Sequence, residues 1–166
     1  MPILPLLKQL SRRGAFEPAR RQIDETVQLY TKLYTREGQK DQTVEKEIGN
    51  ALFLLGQRLS SSSRKRQIQQ DSLSVLKEAL NWLPDSANIR CAIGNTLLNL
   101  LRPEEAKLYF KRALEISKGT SKEAIRGLER VDHYVNTALF HPRKQARILT
   151  VEGSVLSSRG EFEEAE

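Results

Sequence analysis

The chain has 166 residues, 39% of them hydrophobic and 29% charged, with a mean hydropathy of −0.51 and a net charge of +6; at roughly 100 to 200 residues per domain this excludes two large domains and leaves one compact domain or a short repeat array. Its longest uncharged stretch, Cys91 to Leu101, is about half of the roughly 20 apolar residues that a membrane helix needs, and Asn95 and Asn99 interrupt it, so no membrane span is expected. One cysteine, Cys91, excludes an internal disulfide and a multi-cysteine metal site, and no basic residue precedes the proline-broken apolar run of Met1 to Leu7 as it would in a signal peptide; the expected location is cytoplasmic, with the nucleus as the alternative.

Apolar residues recur at helical spacing throughout, and no run alternates as a strand would, which predicts an all-α fold. Leu4 to Leu10 reads as a short helix, Gly14 as a break, and Glu17 to about Tyr34 as a longer helix carrying Ile23, Val27, Leu29 and Tyr30. Polar residues Arg36 to Gln42 read as a loop. From Glu45, the 4, 3 spacing of Ile48, Leu52 and Leu55 marks an amphipathic helix that stops at Gly56 or shortly after. Arg58 to Gln69, with Ser60-Ser-Ser-Ser63 ahead of Arg64-Lys65-Arg66, reads as a flexible solvated loop, with a phosphorylation site or a nuclear address as its functional readings.

Gln70 to Leu83 reads as the next helix, ended by Pro84, and Asp85 and Ser86 are placed to cap its successor. That helix runs from Ala87 to about Leu101 and buries Ile89, Ile93, Leu97 and Leu100. Another starts at Pro103, with Glu104 and Glu105 at its positive end, Ala106, Tyr109, Phe110, Ala113 and Leu114 on its apolar face, and Gly119 as its cap. Thr120 and Glu123 are spaced as a capping box for a helix that places Ala124, Leu128, Val131, Val135 and Ala138 on one face and ends near His141, before Pro142. A last pair starts near Ala146.

Internal echoes organise these elements. Ile48-Gly-Asn-Ala-Leu-Phe-Leu-Leu-Gly56 and Ile93-Gly-Asn-Thr-Leu-Leu-Asn-Leu-Leu101 agree at five of nine positions, and Arg13-Gly-Ala-Phe-Glu-Pro-Ala19 and Arg159-Gly-Glu-Phe-Glu-Glu-Ala165 at five of seven. The pattern resembles the tetratricopeptide repeat, a helix-turn-helix unit of roughly 34 residues. In the clearest copy Ile93-Gly94 stands for the family's Leu-Gly, Leu97 for its tyrosine, Ala106 and Ala113 for its small residues and Phe110 for its aromatic. Lys118 replaces its usual proline, and its tryptophan position holds Glu45, Arg90 or Leu149.

The resemblance implies a right-handed α-solenoid of degenerate repeats over residues 1–166, with units at 1–35, 42–84 carrying a loop insertion at 58–69, and 87–119, an extra helix at 120–141 and a truncated unit at 146–166. The ending Glu161-Phe-Glu-Glu-Ala-Glu166 opens a helix without a body, so the chain is expected to be a fragment of a longer array. Gly49, Gly94, Ala106 and Ala113 are expected to let helices approach closely.

No catalytic constellation, metal cluster or cofactor motif stands out, and His133, His141 and Cys91 read as structural or surface residues, so no enzyme, metal or cofactor is expected. The resemblance implies a protein-interaction scaffold that holds a partner peptide or helix in a concave groove formed by the first helix of each unit. That face would carry Lys46, Asn50 and Phe53, then Cys91, Asn95 and Leu98, then Thr150, Ser154 and Ser157. Lys46, Asn50 and Asn95 would orient the ligand, and Phe53 and Leu98 would give apolar contact. Lys46 and Asn50 are similar to half of the clamp by which some cochaperones of the family hold a terminal carboxylate, but Ala92 replaces its second asparagine. The positive balance favours an acidic partner. The alternatives are RNA binding through Arg12, Arg13, Arg20, Arg21, Arg64, Lys65 and Arg66, or a regulatory repeat region of a larger enzyme.

Overall fold

The structure is a computed structural model that describes residues 16–38 and 40–140. The helix expected at Leu4 to Leu10, His141 and the unit expected at 146–166, with Thr150, Ser154 and Ser157, lie outside the described residues. Among the described residues there are six α-helices and no strand: α1 Phe16–Glu37, α2 Gln42–Ser62, α3 Arg66–Trp82, α4 Ala87–Asn99, α5 Pro103–Ile116 and α6 Lys122–Phe140. None of them is long and apolar enough to cross a membrane.

Helix α1 buries Ala19, Ile23 and Tyr30 along one stripe, with Val27 half-buried between them. The Tyr30 hydroxyl reaches α2, donating to Glu45 Oε1 at 3.0 Å and accepting from the Asp41 amide at 3.2 Å. Its ring meets Trp82 of α3 edge-on, with centroids 6.0 Å apart. Arg20 Nη2 adds an ion pair to Glu78 of α3 at 2.9 Å. The loop expected over Arg36 to Gln42 is shorter, since α1 runs to Glu37. Gly38 turns the chain at φ +68°, and Asp41 caps α2 by accepting from the Thr43 and Val44 amides.

Helix α2 does not stop at Gly56. It continues to Ser62, so the insertion expected as a loop at 58–69 reduces to residues 63–65 between two longer helices. Gly56 lies inside the helix because a Cβ there would sit 2.6 Å from Leu76 Cγ of α3; its smallness serves a close crossing and not a helix end. The serine-rich turn keeps helical shape while Ser61 and Ser62 hydroxyls donate back to the Gln57 and Leu59 carbonyls.

Ser86 caps α4, accepting from the Ile89 amide at 3.2 Å. Eight of the 13 residues of α4 are buried, Cys91 and Leu98 among them, which makes it the central helix. It closes with the Arg102 amide on the Leu97 carbonyl and Leu101 at φ +62°. On α5, Ala106, Phe110 and Ala113 are fully covered, and the Phe110 ring occupies the space left by Gly94 of α4 and Gly127 of α6. The cap of α6 is Ser121, whose hydroxyl accepts from the Ala124 amide at 3.2 Å; Thr120, expected to open a capping box, instead donates to the Ser117 carbonyl.

Each helix packs on the next in sequence, and α2 also touches α4, as α4 touches α6. Helix α3 thus packs on both α2 and α4, and α5 on both α4 and α6.

Candidate functional site

Where α2, α4 and α6 meet, they enclose an open hollow of about 490 Å³. From α2 it is lined by Leu54, Gln57, Arg58 and Ser61, which continue at helical spacing the stripe that Lys46 and Asn50 begin. From α4 come Ala92, Asn95 and Asn99, and from α6 Glu123 and Arg130, in the first and third turns of that helix. Leu76 of α3 reaches its floor and Arg64 of the α2–α3 turn its rim.

A network of neutral amides and hydroxyls holds one wall. Gln69, fully buried on α3, donates to the Ser60 carbonyl at 2.7 Å and the Ser63 carbonyl at 2.6 Å, while its Oε1 accepts from Ser60 Oγ at 3.0 Å and Asn99 Nδ2 at 3.1 Å. Both donors and both lone pairs of that amide are therefore used. Thr96 Oγ1 donates to Ser60 Oγ at 3.3 Å, and Ser72 Oγ to the Gly56 carbonyl at 2.7 Å. Ser60, read from the sequence as part of a flexible loop, is thus a fixed joint between α2, α3 and α4.

The charged groups are held by amides. Arg64 Nη1 donates to Asn99 Oδ1, and Arg130 Nη1 to Asn95 Oδ1 at 2.9 Å. Asn95 Nδ2 in turn donates to Glu123 Oε1 at 3.3 Å, so one asparagine of α4 sets the direction of a cation and an anion of α6. Among the described residues, none of Arg58, Arg64 and Arg130 is in an ion pair.

The residues expected to form the site separate. Asn95 lies in the hollow but orients other side chains. Asn50 is exposed on α2 one turn before Leu54, and Phe53 is half-buried against the core. Lys46 lines a different depression, with Glu45, Trp82 and Asp85. Leu98 and Cys91 are corrections: both are buried, because the stripe of α4 that they share faces its neighbouring helices, and neither offers contact to a ligand. Gln57, Arg58, Asn99, Glu123 and Arg130 were missed. Continuing the α2 stripe past Gly56 would have found the first two; the others depend on packing between helices far apart in sequence.

Of the basic set considered for RNA, Arg12 and Arg13 lie outside the described residues, Arg20 is held by Asp24 and Glu78, and Arg21, Arg64, Lys65 and Arg66 are exposed. Burial raises the Cys91 thiol above its ordinary pKa, which keeps it protonated, and its polar neighbour is Ser121 Oγ at 3.9 Å. His133 is exposed on α6. Among the described residues no cluster of three His, Cys, Asp or Glu side chains is placed to hold a metal ion. No family model matches the chain, and no curated protein or solved structure matches it either.

Proposed function

We propose that the chain is a non-catalytic binding module built as a solenoid of tetratricopeptide-like repeats, which holds a segment of a partner protein against α2, α4 and α6. The observation that carries this reading is the hollow itself: the alternate helices α2, α4 and α6 contribute to one continuous lining, α2 and α4 being the first helices of two expected units and α6 the extra helix that follows them. Supporting it, the residues that match the repeat pattern sit at the crossings. A Cβ on Gly49 would lie 2.5 Å from Leu83 Cγ and one on Gly94 2.6 Å from Phe110 Cζ, so a small residue is required at the same step of successive units.

The ligand-facing set on this reading is Asn50, Gln57, Arg58, Asn95, Asn99 and Arg130, with Leu54 as apolar contact. Lys46 and Phe53 flank it. Capture of proteins from cell extract by the native chain, compared with a Gln57→Ala/Asn99→Ala variant of unchanged helicity, tests it. Proteins retained by the native chain should be lost with the variant. Equal retention by both would place the contact surface elsewhere, and retention of nucleic acid in place of protein would make the interface an RNA one.

A further inference from the structure

Every other described arginine whose guanidinium is fixed by side chains is closed by a carboxylate. Arg20 meets Asp24 and Glu78 at 2.9 Å, Arg102 meets Glu105 at 2.6 Å, and Arg112 meets Glu115 at 2.8 Å. The arginines of the hollow differ: Arg64 and Arg130 are aimed by the neutral oxygens of Asn99 and Asn95, and Arg58 lines the same space. An amide oxygen fixes the direction of a guanidinium without cancelling its charge, so the hollow carries oriented cations with unspent capacity for an anion. Against three positive groups stands one carboxylate, Glu123, tied to Asn95.

We infer that the hollow binds an internal acidic segment of a partner protein, gripping two or more Asp or Glu side chains with Arg58, Arg64 and Arg130; this rests on the binding-groove reading above. Three cations contributed by α2, the α2–α3 turn and α6 outnumber the single charge of a chain terminus, which is why side-chain carboxylates, spread along a segment, are the complement. Gln57 and Asn99 add amide groups that suit a peptide backbone. A nucleic acid fits less well. Among the described residues no aromatic side chain lines the hollow to stack a base.

The test selects random peptides, displayed as fusions with no free C-terminus, on the full chain, and measures the selected peptides and a short oligouridylate by fluorescence anisotropy. The same titrations use Arg58→Gln/Arg130→Gln and, as a control for general charge, Arg112→Gln. Both sets of side chains are exposed, and circular dichroism checks that the fold is kept. Expected is an enrichment of Asp and Glu, affinity falling about tenfold for each hollow arginine replaced, and no change with Arg112→Gln.

Acidic peptides that bind the double variant as well as the native chain would overturn the assignment. So would selection of neutral peptides that shift the side-chain amide resonances of Gln57, Asn95 and Asn99, an outcome that keeps the groove and removes its charge preference. Selection of no peptide would overturn the groove reading as well, and oligouridylate binding in its place would make the surface a nucleic-acid interface.

Discussion

On one side of α4, towards α2 and α3, the helices are joined through a hydrogen-bonded seam: Gln69, Ser60, Thr96 and Asn99 share donors and acceptors, and Ser72 reaches the Gly56 carbonyl. On the other side, towards α5, the seam is apolar, with the Phe110 ring lodged against Gly94 and against Gly127 of α6. The same helix receives its neighbours by two kinds of chemistry. An apolar seam draws its stability from area and fit, whereas a buried polar one contributes chiefly by leaving nothing unsatisfied, so it specifies one register at modest net gain.

The largest expected effect breaks the apolar seam. Phe110 of α5 is fully buried and packs against both α4 and α6, so Phe110→Ala should destabilise the fold by about 3 to 5 kcal/mol, read by chemical denaturation. The two glycines that face the ring have no side chain to fall into the space. A loss under about 1 kcal/mol would mean that α5 and α6 close onto each other without the ring.

The polar seam should give way more gently. Gln69→Leu removes four hydrogen bonds and leaves the Ser60 and Ser63 carbonyls without that partner, at an expected cost of about 2 kcal/mol. Asn99→Ala should cost about 1 kcal/mol alone and markedly less in the Gln69→Leu background, since the two side chains share a bond. Strict additivity between them would show that the amides act independently. Gln69→Leu and Phe110→Ala, lying in different seams, should add.

This contrast also explains what the sequence disclosed. The apolar seam was legible because Ala106, Phe110 and Ala113 recur at 4, 3 spacing and Gly94 falls in a repeated Ile-Gly-Asn step, all signals carried within a few residues. The polar seam was not. Gln69, Ser60 and Asn99 are residue types that ordinarily face water, and their partners are 9 and 30 positions away, so a serine-rich stretch read as a loop when it is the end of α2. The hollow suffered for the same reason: its α2 lining starts at the turn where the helix was ended too early, and Arg130 joins it only because α6 packs on α4.

Gly56 is where the two readings of the polar side diverge, and a single methyl group separates them. If glycine ended α2, alanine there would be harmless or mildly unfavourable through a turn preference, and protection of the amides from Gln57 to Ser62 would stay low. Inside the helix, alanine gains about 1 kcal/mol of helix propensity. Its Cβ, however, meets Leu76 Cγ and Cδ2 at 2.6 Å, contact tight enough to push α3 away at a cost of about 1 to 3 kcal/mol. The net expectation for Gly56→Ala is a loss of about 1 kcal/mol, with native-state hydrogen exchange showing protected amides through Ser60 in the parent chain. Leu76→Ala should turn that loss into a gain, because it clears the obstacle while leaving the helix preference in place. A sign that fails to reverse in the double variant would mean that the α2–α3 crossing is set by the hydrogen bonds of Gln69 and Ser72 and not by the approach of Leu76 to Gly56.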